Sequence, residues 1–359
     1  MDVQSITDVK DNNIQVLGHM LDMGHEQVLF CNDPKSGLKA IVAVHNTVCG
    51  PALGGTRMWQ YENEEHALKD VLRLSRGMTY KNSISNLNLG GGKAVIIGDS
   101  RKDKSKDLFK RFGKFVDSLN GNYITAEDVG ISPADMVYVA QETQHVAGLP
   151  GKSGDPSPVT AYGVYMGMKA ASKVQFGNDS LEGKRIAVQG VGHVGEYLVE
   201  HLSKEGAKLF ISDIHEPTLS HVATKYGAEV VGLDDIYDLD MDIYAPCALG
   251  ATINDRTLNR LKCSIVAGAA NNQLEDEFVH GEVLRGKGIT YAPDYLINAG
   301  GVMNCYAEVV GLERSEVMKM AENIYNTTIE IINYSRKEGI PTYLAANRKA
   351  EKRIAELSA

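Results

Sequence analysis

Residues 184–189 (Lys-Arg-Ile-Ala-Val-Gln) read as a strand, and Gly190-Val191-Gly192-His193-Val194-Gly195 follows at once and opens a helical pattern. Asp213 closes the next apolar run, Leu209-Phe210-Ile211-Ser212, 23 residues after Gly190. A lone GxGxxG is weak evidence, but strand, glycine turn, helix and a following acid together form the full context of a dinucleotide-binding βαβ unit. The glycines permit a tight turn and a close approach of the pyrophosphate to the helix N-terminus, where free N–H groups and the dipole favour an anion. Asp213 is expected to accept from the adenosine ribose hydroxyls and to repel a 2′-phosphate, so NAD is favoured over NADP. Val191, Val194 and Gly195 share the motif, and His193 within it reads as exposed, not catalytic. Further short apolar runs at 242–245, 264–267 and 289–292 extend this half into a parallel sheet.

A chain of 359 residues is long for one hydrophobic core, which makes two domains the default. With 43% hydrophobic and 23% charged residues it is ordinary globular material. The net charge of −9 argues against nucleic acid as the main partner. Five scattered cysteines with no CxxC pair favour a reducing compartment and no structural zinc. There is neither a signal-peptide apolar region nor an 18-residue apolar run, so no membrane role is expected and the reading is cytoplasmic. Residues 148–158 (GLPGKSGDPSP) are dense in Gly, Pro and Ser and mark the domain boundary. The expected architecture is α/β: an N-terminal mixed α/β substrate-binding and catalytic domain over residues 1–147, then a Rossmann-type doubly wound parallel-sheet NAD domain over 148–331. Helices over about 332–359 can pack back on the first domain.

The N-terminal half is organised around residues 77–93, GMTYKNSISNLNLGGGK, where Lys81 and Lys93 lie twelve apart and the second follows three glycines. Glycine lets the backbone approach a ligand or another strand closely, and the apolar run 94–97 reads as a buried strand that holds Lys93 rigidly. A partly buried lysine near another cation loses proton affinity and becomes a base near neutral pH. Two solvated loop lysines are the bland alternative, which the triple glycine argues against. Residues 26–31 and 39–45 read as paired strands, 50–57 as a glycine-bearing loop, and a helix capped by Asn63 delivers Lys81 at or just past its end. An amphipathic helix is expected over 105–120, a strand over 123–126, then Asp128 in a short connection before the Ser132-Pro133 helix start. A helix begins near Thr160, and the tail reads as one helix over 313–335 and another over 342–357. The histidines His45 and His145 show no partner spacing and read as structural.

A nicotinamide domain joined to two lysines and an aspartate suits hydride removal from an amino acid, followed by water attack on the iminium and loss of ammonia. Those steps need a cation for the carboxylate, a base for the water and a carboxylate to move protons at the amine, and Lys81, Lys93 and Asp128 match in type. Residues 50–59 (GPALGGTRMW), 77–99, 123–130 (YITAEDVG), 245–251 (APCALGA), 267–274 (AGAANNQL) and 291–304 (YAPDYLINAGGVMN) resemble the leucine dehydrogenases of the glutamate, leucine, phenylalanine and valine dehydrogenase superfamily. The similarity runs over nearly the whole chain and is weakest at residues 1–20 and 148–156.

The resemblance implies NAD-dependent reversible oxidative deamination of branched-chain L-amino acids, leucine and also isoleucine and valine, to 2-oxo acids and ammonia, in a cleft between two domains. By position it implies that Lys93 activates water, Lys81 binds the α-carboxylate and Asp128 transfers protons at the amine. Gly54, Gly55 and Asn272 would contact the main part of the substrate. Thr160, Cys247, Ala248 and Asn271 would line the nicotinamide side, with Cys247 packing there and not acting as a nucleophile. Leu53, Met78, Ala126, Val302 and Cys305 would select the side chain. Where this chain has Leu53 and Cys305, glutamate dehydrogenases are expected to carry a lysine and a serine; an apolar pocket cannot take a γ-carboxylate without a desolvation loss, so glutamate is disfavoured. Cys305 departs from the valine usual in leucine dehydrogenases and slightly widens one wall. An aromatic amino acid specificity of the same superfamily is the alternative, and a non-catalytic NAD-binding regulator and a 2-hydroxyacid dehydrogenase are rivals from other classes. The resemblance also implies a homo-oligomer, an octamer.

Overall fold

The structure, a computed structural model, describes residues 15–152 and 154–358. By internal contacts it divides into two compact units: one takes the chain up to Thr79 together with Gly90–Val146, the other takes Tyr80–Leu89 and the chain from Ala147 onward.

The first stretch of chain runs α1 (Val16–Met23), β1 (Gln27–Asp33), β2 (Leu38–Asn46) and β3 (Ala52–Trp59). After these come α2 (Glu64–Ile84), β4 (Gly90–Ile97), α3 (Lys106–Asp117), β5 (Tyr123–Glu127) and α4 (Pro133–Val139). Asn63 caps α2 as its position suggested, its Oδ1 accepting from the His66 N–H at 2.9 Å. Ser132 and Asp135 close a reciprocal capping box on α4. The five strands order β1-β2-β4-β3-β5. β1, β2 and β4 pair antiparallel, whereas β3 runs parallel to both β4 and β5. This mixed sheet buries Ile41, Ala43 and Val95 against Ala67, Leu68, Val71 and Leu72 of α2.

Two expectations change here. Residues 52–59 form a central strand, not a glycine-bearing loop, and β4 starts at Gly90, so the triple glycine is the strand itself. The reason is crowding: a Cβ on Gly54 would lie 1.8 Å from the Gly92 carbonyl oxygen, and one on Gly91 would lie 2.1 Å from the Thr79 nitrogen. Strand β4 is thereby pressed against α2 and β3 with no side chain between, which fixes Lys93 two residues on.

The second unit continues with α5 (Ser157–Phe176), β6 (Arg185–Gln189), α6 (His193–Lys204), β7 (Lys208–Ser212), α7 (Glu216–Tyr226) and β8 (Glu229–Val230). Next are β9 (Ile243–Pro246), α8 (Asp255–Leu258), β10 (Ile265–Val266), α9 (Glu277–Gly286) and β11 (Thr290–Tyr291). The last helices are α10 (Asp294–Ile297), α11 (Gly300–Val310), α12 (Arg314–Glu322), α13 (Ile324–Glu338) and α14 (Thr342–Ser358). The sheet is wholly parallel in the order β11-β10-β9-β6-β7-β8. Counted from β6 that is the doubly wound order of dinucleotide-binding sheets, whose direction of winding reverses between β6 and β9. Its core includes Ala187, Tyr244, Val266, Leu284 and Tyr291.

The helix expected near Thr160 starts three residues earlier, at Ser157. The single tail helix expected over 313–335 is two, broken at Asn323, whose ψ of −11° leaves the α-helical value. Helices α12 and α13 pack on α5, and α14 packs on α13, α9 and β11. Arg353 of α14 donates to the carbonyls of Leu87 at 2.8 Å and Ser83 at 3.4 Å, which ties the segment after Lys81 to the C-terminal helices within this unit. Among the described residues no helix is long and apolar enough to cross a membrane.

Candidate active site

Strand β4 turns Lys93 into the interior of the first unit, its side chain 7% exposed. Asp128, directly after β5, meets it: the Lys93 Nζ lies 3.0 Å from Asp128 Oδ2. The approach is possible because β3 carries Gly55 alongside, where a Cβ would stand 2.9 Å from that of Asp128. The same Oδ2 accepts from Arg57 Nε at 3.1 Å, and Arg57 Nη1 donates on to Asp70 Oδ2 at 3.0 Å. Tyr61 OH donates to that Asp70 oxygen at 2.7 Å, and Arg73 pairs with Oδ1 at 2.9 Å. Burial disfavours the ammonium of Lys93 and lowers its pKa despite the attraction of Asp128, with the Arg57 charge adding to the lowering. For Asp128 burial acts in the raising direction, but Lys93 and Arg57 outweigh it and hold the carboxyl below its ordinary value. The arrangement is a lysine that holds its proton less firmly than usual beside a carboxylate kept ionised.

Around this pair Leu53 and Ala126 are buried on β3 and β5, with Gly55 in register with Ala126. Gly54 faces the half-buried Met78, whose Cγ would lie 3.2 Å from an added Cβ. Those seven expected residues, Lys93, Asp128, Leu53, Gly54, Gly55, Met78 and Ala126, share the first unit. The others fall in the second.

There Lys81 Nζ donates to Asn298 Oδ1 at 2.7 Å, and Asn298 Nδ2 donates to Asn271 Oδ1 at 2.7 Å and the Ala269 carbonyl at 3.0 Å. Asn272 is held in the left-handed region at φ 51°, and its carbonyl accepts from the Ala251 N–H at 2.7 Å. Asp294 lies buried nearby, its carboxyl pushed up by burial while Gln273 and Tyr295 N–H groups donate to it. Val302 is buried and Cys305 half-buried on α11. Thr160 sits in the first turn of α5, donating to the Pro156 carbonyl at 3.0 Å.

Gly190 directly follows β6 at φ 98°, and any Cβ there would stand 2.7 Å from Ala248. Gly195 packs as closely on the Gly190 carbonyl oxygen, at 2.1 Å from a would-be Cβ, while nothing lies within 4 Å of one on Gly192. His193, exposed, opens α6, with half-buried Val194 after it and Val191 buried ahead. Asp213 accepts from the Val191 and His215 N–H groups, each at 2.8 Å, so the acid braces the glycine turn itself. Cys247 follows β9 across the winding switch, accepts from the Ala269 N–H at 3.4 Å, and has its thiol pushed up to about 12 by burial, which leaves little thiolate for nucleophilic attack.

Residues 25–145 match the profile described as Glu/Leu/Phe/Val dehydrogenase, dimerisation domain, and residues 151–216 and 210–359 match that of Glutamate/Leucine/Phenylalanine/Valine dehydrogenase. The chain belongs to the Glu/Leu/Phe/Val dehydrogenase family. It is 56% identical over 344 residues to a leucine dehydrogenase of Bacillus subtilis and 55% identical to one of Thermoactinomyces intermedius, each covering 95% of this chain and 94% of the relative. The crystal structure of L-tryptophan dehydrogenase from Nostoc punctiforme superposes with a TM-score of 0.86 at 46% identity, covering 96% of this chain and 100% of that one. This member is thus an amino acid dehydrogenase, an oxidoreductase with small-molecule substrates and a nicotinamide cofactor. Its residues fit such a cofactor: the turn at Gly190–Gly195 leaves open space at Gly192 before the N-terminus of α6, and Asp213 stands at the end of the next strand.

Sequence reasoning missed Arg57, Asp70, Tyr61 and Asn298. Arg57 had a signal in the alternation Leu53, Gly55, Arg57, which on a strand puts all three on one face; reading the segment as a loop hid it. Asn298 had none, since it meets Lys81 across 217 residues of chain.

Proposed function

We propose that this enzyme catalyses the NAD-dependent reversible oxidative deamination of branched-chain L-amino acids, leucine foremost and isoleucine and valine beside it, to 2-oxo acids and ammonia. The observation that carries the reading is the Lys93–Asp128 pair, a buried lysine of lowered pKa at 3.0 Å from an ionised carboxylate. The high identity to relatives named leucine dehydrogenase supports the substrate.

Lys81 holds the substrate α-carboxylate, Gly54, Gly55 and Asn272 the groups about Cα. The bound nicotinamide supplies the hydride acceptor for the Cα hydrogen. Lys93, unprotonated, takes a proton from water as it adds to the iminium carbon, and Asp128 carries protons to and from the nitrogen until ammonia can leave. The residues assigned to selecting the side chain are Leu53, Met78 and Ala126 of the first unit and Val302 and Cys305 of the second. The cofactor is held by Thr160, Gly190–Gly195, Cys247, Ala248 and Asn271, with Asp213 accepting from the ribose hydroxyls in preference to a 2′-phosphate. In this reading residues 1–147 bind the substrate, 148–331 bind NAD, and the enzyme works in the cytoplasm as a homo-oligomer, an octamer.

The test is NADH formation at alkaline pH from leucine, isoleucine, valine, phenylalanine, tryptophan and glutamate, with lactate as control and NADP run in parallel. Turnover should be strongest with the branched-chain members and NAD. One methylene in such a pocket is worth about 1–3 kcal/mol, so all three should react. Dominant signal from phenylalanine or tryptophan would move the substrate to the aromatic class, and equal use of NADP would remove Asp213 as the ribose acceptor.

A further inference from the structure

The proposed mechanism leaves one half-buried cation of this cluster unused. Arg57 lies on β3 in register with Val95, two residues past Lys93, and side chains two apart on a strand share a face. Its guanidinium joins two carboxylates, Nε to Asp128 Oδ2 and Nη1 to Asp70 Oδ2, with only 22% of its side chain exposed. Asp70 is fixed in turn by Tyr61 and by Arg73. A planar fork braced at two points resists rotation in a way an ammonium cannot.

We propose that Arg57 is a positioning residue of the reaction: it fixes Asp128 Oδ2 against Lys93 and supplies the permanent positive charge that keeps the pair in its working ionisation. The proposal rests on the roles given above to Lys93 and Asp128. The charged and titratable groups that face the pair are Arg57 from β3, Asp70 and Arg73 from α2, Tyr61 from the turn before it, and Tyr123 from β5. Among these, Arg57 acts on both members in one direction, lowering Lys93 by like charge and Asp128 by opposite charge, whereas Asp70 acts on Lys93 in the raising direction. Loss of Arg57 therefore raises both; loss of the Asp70 charge lowers Lys93.

The measurement is kcat/KM for leucine oxidation against pH at saturating NAD, for the wild type, Arg57→Gln, Arg57→Lys and Asp70→Asn. Activity in this direction rises as Lys93 loses its proton, so Arg57→Gln should move the acid limb alkaline by about one pH unit. Asp70→Asn should move it the other way by less. Arg57→Lys should return the limb most of the way to the wild-type position with kcat still reduced, because one ammonium cannot brace both carboxylates. A uniform loss in Arg57→Gln with the limb unmoved, or displacement of Arg57→Gln and Asp70→Asn in the same direction, overturns the proposal. Should Arg57→Gln not fold, Asp70→Asn decides alone: an acid shift supports the proposal, and an unmoved or alkaline limb overturns it. Lys93→Ala is run alongside, since near-normal turnover there removes the underlying mechanism, whatever Arg57 does.

Discussion

Lys93 and Lys81 stand twelve residues apart in the chain and in different units of the structure, and each has been given a different kind of partner. Lys93 is sealed in on a strand, and its ammonium faces a carboxylate that also serves an arginine. Lys81, half-buried in the last turn of α2, donates to the neutral amide oxygen of Asn298. The contrast follows the work proposed for each. A base must give up and regain a proton, so its neighbours have to balance burial against charge and set where that happens. A carboxylate-binding lysine must stay charged and hand its contact over to the substrate, which a neutral amide concedes more readily than a carboxylate does. In the proposed reading the same side chain is made into two reagents by what is packed beside it.

The comparison breaks most visibly at Lys93. Lys93→Ala is expected to retain NADH binding and to lose deamination by about 10²–10⁴-fold, the usual worth of a positioned base. The wild-type rate should fall as pH drops through the lowered Lys93 pKa, because the neutral amine is the working form and is depleted below it. Stopped turnover with intact NADH fluorescence quenching is the expected pair of readings; near-normal turnover takes Lys93 out of the chemistry.

Much of this was visible in the residues, and what was not has a physical cause. The dinucleotide-binding half was legible because glycine turn, following helix and distant acid are all local or near-local features, and the winding of the sheet follows from strand and helix alternating. Strand β3 was not: Gly54 and Gly55 signal a turn by propensity, and only contact with Gly92 and Glu127 on neighbouring strands reveals why a strand must carry glycine there. Of the cluster proposed to react, Lys93 and Asp128 announced themselves by their settings, yet the arginine that joins them to Asp70 could not be placed until β3 was a strand. The short strand β8, two exposed residues long with Val230 as its apolar member, is too short to show an alternation.

At Lys81 a smaller loss is expected, and of another kind. Lys81→Ala should raise KM for leucine by about ten- to a hundredfold, since a hydrogen bond to a charged group is worth roughly 1.5–3 kcal/mol, while leaving the pH at which the acid limb falls where it is. Steady-state kinetics across pH would separate the two lysines. A limb that moves with Lys81 would show that this residue, too, is coupled to the proton transfer, and the division of labour between them would be lost.

The mildest perturbation is the most discriminating. Asn298 is buried at 4% exposure and spends its amide in three directions, accepting from Lys81 and donating to Asn271 and to the Ala269 carbonyl. Asn298→Ala removes the amide acceptor from Lys81, and leaves two acceptors of the second unit with one donor fewer. If the amide aims the lysine, KM for leucine should rise by about fivefold with kcat little changed, the scale of a single hydrogen bond of about 1 kcal/mol. Because Asn271 sits at the other end of the same amide, KM for NAD should rise with it, which Lys81→Ala would not produce. A fall in KM for leucine would instead mean that Asn298 competes with the substrate for the ammonium, so the neutral partner restrains Lys81 rather than presenting it.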